Sequence, residues 1–180
     1  MEKSSVTIWQ KAGIAWVGVF LFRFLLLSFR APNVEPMLAT IMPFSKRIGA
    51  FGSFAFAFSG IVLYDIATLR VGAWTWVTAC AYGLLAIASY AYFSRRTASR
   101  ARFVGFGIVA TLAYDAVTGL TVGPIFFNQS FSSALAGQLP FTVLHLLGTI
   151  TFAVFLSPVV AAWVAREPQV VRLAAVHSAQ

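Results

Sequence analysis

An all-α, polytopic membrane bundle is the fold class this sequence predicts, and three observations predict it. Fifty-nine per cent of the 180 residues are hydrophobic and 10% are charged, where a soluble domain is about a quarter charged. Mean hydropathy is +0.83. Apolar runs recur along the chain with basic residues at their flanks, as the orientation of membrane helices requires.

Each element follows from an apolar run and its punctuation. A first helix is expected over about residues 9–29, followed by the loop Arg30-Ala-Pro-Asn-Val-Glu35 and a short second helix over 36–44. The third covers 48–67 and is rich in Phe, Gly and Ala; the fourth covers 73–93, the fifth 103–122 and the sixth about 135–164. An uncharged aromatic loop, 123–133, joins the last two. This makes one six-helix domain over 1–166, with 167–180 read as a mobile cytoplasmic tail.

The second helix falls short of the roughly 20 residues a full crossing takes. A short tilted helix among neighbours is nevertheless tolerated. Six crossings with the N-terminus inside place ten Lys and Arg on the cytoplasmic side and two, Arg30 and Arg70, outside; five crossings split them nine to three. Charge therefore favours six, with both termini cytoplasmic; the bacterial inner membrane is the expected location.

Composition also excludes function classes. There is no room for a soluble catalytic domain, and no Walker-type Gly-Lys-Ser/Thr occurs. The net charge of +8 comes from residues flanking apolar runs, so it points to the bilayer and not to nucleic acid. The first ten residues are too polar for a secretory leader, and the following apolar run is expected to remain as a helix.

Three residues on three helices are candidates for chemistry. Cys80 is the only cysteine, so an internal disulfide is excluded; it is either a small hydrophobe or a soft metal ligand. Asp115 and His145 fall at a similar depth, each seven residues inside its helix end, or roughly 10 Å at 1.5 Å per residue. An ionisable group within the bilayer is expensive unless paired or facing water, and Arg23 is the expected partner of Asp115. Tyr64 and Asp65 are expected at the rim. Bis-histidine haem within one subunit is excluded, since the only other histidine is His177 in the tail.

The Pro-Asn-Val-Glu-Pro loop (32–36), the short second helix, and the stretch Tyr114-Asp-Ala-Val-Thr-Gly119 through Gly123-Pro124 resemble S components, the substrate-binding subunits of energy-coupling factor (ECF) vitamin transporters. With Cys80 in the fourth helix, the chain is most similar to the cobalamin-specific BtuM group. The resemblance implies that cobalamin or cobinamide is captured from outside, with the Cys80 thiolate as axial ligand to the corrinoid cobalt. It implies corrin contacts from Asn33, Phe126, Phe127, Asn128 and Gln129, and a cavity shared with Asp115 and His145. A donating thiolate below the ring would also labilise the upper axial group, making its removal during uptake a further expectation. The implied partner is an ECF coupling subunit with its ATPases. Yet the small residues of the first helix, Ala12, Gly13, Ala15 and Gly18, contain no Ala-x-x-x-Ala pair, so solitary transport stands beside it. A different class, a redox or quinone-linked subunit using Asp115 and His145 for proton transfer, remains the alternative; a structural assembly factor is the third.

Overall fold

The computed structural model describes residues 6–25 and 33–166, with the Phe127 side chain set aside. All described elements are helical: α1 (Ile8–Arg23), α2 (Met37–Ala67), α3 (Ala73–Ser94), α4 (Arg100–Val117), a π-helical turn (Thr118–Val122), α5 (Gly123–Phe127) and α6 (Phe131–Ala165). Four stretches are long and apolar enough to cross a membrane: Met37–Ala67, Ala73–Ser94, Arg100–Phe126 and Phe131–Ala165. The all-helical, membrane-embedded class thus stands. The expected tail, and the end of the first expected helix, lie outside the described residues.

Helix α1 starts on a capping box. The Gln10 N–H donates to Thr7 Oγ1 (3.3 Å), and Gln10 Oε1 accepts from the Thr7 N–H (2.8 Å), so two orphan donors are satisfied reciprocally. Helix α2 is not straight. Gly49 takes φ 76° and ψ 178°, a backbone region essentially reserved for glycine. The chain reverses there, so the Met37 side chain lies against Gly60; on a straight helix these residues would stand about 35 Å apart. The Ser53 hydroxyl fastens the turn by donating to the Gly49 carbonyl at 2.7 Å. The expected second and third helices are therefore the two arms of this one folded element.

The bundle is assembled by small residues and short polar bridges, as close helix packing in an apolar medium demands. Gly83 of α3 faces the Phe54 ring, and Gly107 of α4 faces Thr149 of α6. Hydroxyls join Ser89 to Ser45 (3.2 Å) and Thr111 to Thr149 (3.0 Å), while Ser157 donates to the Ala39 carbonyl (2.7 Å). The Trp16 indole donates to the Phe56 carbonyl at 3.1 Å, tying α1 to α2.

These contacts give the molecule two unlike ends. At one end lie Lys11, Lys46, Arg47, Arg95, Arg96, Arg100, Arg102 and Arg166, around the α2 reversal, the α3–α4 junction and the end of α6. There the buried Lys11 ammonium donates to the Trp163 and Arg166 carbonyls, both at 2.8 Å, satisfying the orphan acceptors of a helix C-terminus. All described carboxylates, Glu35, Asp65 and Asp115, sit toward the other end. One expectation is corrected: residues 123–133 are not a loop, because α5 continues the helix and α6 begins at Phe131.

Candidate functional site

The second end opens into a cavity of about 430 Å³. Arg23 ends α1, Asn33 and Glu35 precede α2, and Tyr64 and Asp65 end α2. Arg70, Trp74 and Thr78 stand at the start of α3 with Tyr82 one turn deeper; Tyr114 comes from α4, and Phe141 and His145 from α6. A second lobe of about 500 Å³ shares Asn33, Trp74, Thr78, Tyr114 and Phe141. The two are therefore one cleft with an aromatic waist. The second lobe is uncharged, lined by Thr118 and Gly119 of the wide π-helical turn and by the amides of Gln129 and Gln138. Such turns often mark functional positions in a helix.

The floor of the charged lobe is a linear polar chain. His145 Nδ1 lies 2.9 Å from Asp115 Oδ1, and His145 Nε2 lies 3.2 Å from the Tyr82 hydroxyl. Each ring nitrogen thus has one partner, and which of them donates depends on the protonation of the imidazole. Tyr114 and Phe141 set their rings edge-on to the imidazole, with centroids 5.5 and 5.7 Å away, which fixes its plane. Asp115 is 2% exposed and His145 6%. Asp115 Oδ2 has no hydrogen-bond partner among the described residues.

Above this chain sits a second charged pair. Arg23 Nη1 donates to Glu35 Oε2 at 2.7 Å, and its guanidinium lies 4.5 Å from the Tyr64 ring centroid. Asp65 Oδ2 accepts from the Thr75 hydroxyl at 2.6 Å. The expected pairing of Arg23 with Asp115 is thereby corrected: Arg23 has Glu35 as its partner, and Asp115 has His145.

The sequence-derived candidates separate into three groups. Asn33, Gln129 and His145 line the cleft, and Asp115 backs it through His145. Tyr64 and Asp65 line it as expected. Cys80 does not. It is exposed, next to the fully buried Ala79, on the side of α3 turned away from the cavity-lining Thr78 and Tyr82. Phe126 is exposed and lines neither lobe; Asn128 closes α5 in a left-handed conformation (φ 49°); the Phe127 side chain falls outside what the structure describes. Glu35, Tyr82 and Tyr114 were not singled out from sequence as binding residues. Glu35 carried the clearest signal, as a carboxylate just before an apolar run.

As a metal centre the cleft offers little. Among the described residues no three His, Cys, Asp or Glu side chains group closely enough to hold an ion. Both His145 nitrogens are already engaged, and the one thiol, Cys80, points elsewhere. What the arrangement does offer is hydrogen-bonding and charged groups in an apolar bundle, with aromatic faces between them. Comparison with protein-family models, with curated proteins and with solved structures yields no match for this chain.

Proposed function

We propose that this chain is the solute-capturing subunit of a vitamin uptake system of the ECF type, a six-crossing bundle that admits a small organic molecule at its cavity end. One observation carries the reading: charged and polar side chains from α1, α2, α3, α4 and α6 converge on an open cleft in a chain whose other buried surface is mostly apolar. Ionisable groups at membrane depth mark solute pathways or relays. The basic end would then face the cytoplasm and the cleft the outside.

A corrinoid is the solute that the sequence resemblance implies, and it is the first probe. The cleft supports it through walls and amides rather than through a thiolate, since Cys80 is exposed outside it. The test is the absorption spectrum of the purified chain after incubation with cobinamide or cyanocobalamin. The expected result is a bound corrinoid whose affinity changes by less than about twofold in Cys80→Ala, as for other surface substitutions, and which is lost in Thr78→Trp, where the cavity wall is filled. No cyanide release above the Cys80→Ala level is expected. A corrinoid lost in Cys80→Ala would overturn the cleft as its seat; no corrinoid in any form would overturn the solute.

The redox-subunit reading has one observation in its favour, the Asp115–His145–Tyr82 chain, which is built like a proton path. It demands that haem, flavin or quinone co-purify with the chain, which the same spectrum would register.

A further inference from the structure

The basic end holds a second cavity, of about 250 Å³, far from the cleft. Its rim carries Lys46 and Arg47 from the α2 reversal and Arg96 from the end of α3. Its floor is apolar, formed by Met42, Phe93 and Phe103, each at most 3% exposed. The three cations are exposed, and no ion pair joins them to a carboxylate among the described residues. Arg96 is steadied by the Tyr92 ring, 4.3 Å from its guanidinium. Helix α4 begins at the same wall, where Ser99 caps it by accepting from the Arg102 N–H at 3.3 Å; the N–H groups of a helix's first turn and its dipole favour an anion nearby.

Flanking cations alone would express only the orientation rule. Here they surround a pocket between helices with an apolar, buried base. That combination suits a molecule with an anionic head and an apolar continuation. We propose that this pocket binds the phosphate group of an anionic glycerophospholipid, with Lys46, Arg47 and Arg96 around the phosphate and the glycerol and upper acyl carbons against Met42, Phe93 and Phe103. Basic pockets between membrane helices take lipid head groups on this principle. The site is separate from the cleft and does not depend on what the cleft carries.

The test uses the full chain in nanodiscs and native mass spectrometry, with phosphatidylglycerol against phosphatidylcholine as probes and inorganic phosphate as competitor. Retention of phosphatidylglycerol over phosphatidylcholine is expected, and the triple variant Lys46→Gln, Arg47→Gln, Arg96→Gln should weaken it by about tenfold or more. The control Arg95→Gln, Arg100→Gln removes exposed cations that do not line the pocket and should weaken it several-fold less than the triple variant does. An equal loss in both variants would overturn the pocket in favour of diffuse attraction. Displacement of the lipid by millimolar inorganic phosphate would overturn the lipid assignment in favour of a free anion. All substituted residues are exposed, and a circular dichroism spectrum matching the parent identifies variants that fold.

Discussion

His145 is held from both sides at once, and that decides what its removal does. With Asp115 on Nδ1 and Tyr82 on Nε2, the imidazole is the only described hydrogen-bond partner of a carboxylate that is 2% exposed. Truncating one member of a buried pair strands the other, at a cost of about 3 kcal/mol. His145→Ala should therefore lower thermal stability in detergent strongly, whereas the double variant with Asp115→Ala should recover part of the loss. A simple sum of the two single effects would show that the contact carries no coupling. This pair was half legible in the sequence. Counting residues from the helix ends put Asp115 and His145 at one depth, and they do meet. The same count put Cys80 at that depth, between the cavity-lining Thr78 and Tyr82, yet it faces outward, because depth says nothing about rotation. A helix apolar on all sides has no polar face to fix its roll. The signal that does fix it is the stripe Ala79, Gly83, Ala86, Ser89, all buried, since small residues mark the packed face. Cys80 stands off that stripe.

At the scale of elements, Gly49 is where the bundle turns. At φ 76° and ψ 178° any side chain is strained whatever space surrounds it, at roughly 1–3 kcal/mol per residue. Nothing lies within 4 Å of a Cβ built there, so Gly49→Ala isolates the backbone term from steric clash. A loss of about 1–3 kcal/mol in chemical unfolding is expected; no loss would mean that the two arms are not joined by this turn. The sequence marked the reversal through Lys46 and Arg47 between two apolar runs, although Gly49 itself falls inside the expected third helix. It marked the 123–133 segment badly. Gly123-Pro124 reads as a break, yet Pro124 stands in the first turn of α5, directly after the π-helical turn and with no interruption of helical backbone. The helix accordingly continues through α5. The turn before it, Thr118–Val122, is π-helical, a departure that no apolar period announces.

Across the whole molecule, the separation of charge is the feature most plainly written in the sequence, because charges at the ends of apolar runs need no knowledge of packing. Folding then gathers cations from five separate stretches at one end and leaves Glu35, Asp65 and Asp115 toward the other. The bias specifies an orientation by the positive-inside rule, and labelling can test it. In a Cys80→Ser background, Leu69→Cys introduces a thiol at the cavity end, where Leu69 is 94% exposed between α2 and α3. Thr97→Cys does the same at the basic end, in the exposed α3–α4 connection. A membrane-impermeant maleimide applied to intact spheroplasts should label Leu69→Cys at once and Thr97→Cys only after lysis. The opposite pattern would place the cleft on the cytoplasmic side, and a subunit that captures solute from outside could not work that way round. Labelling of both sites in sealed cells would mean that the α3 stretch between them does not cross the bilayer. The cleft would then have to be read as an interfacial pocket and not as the mouth of a transport path.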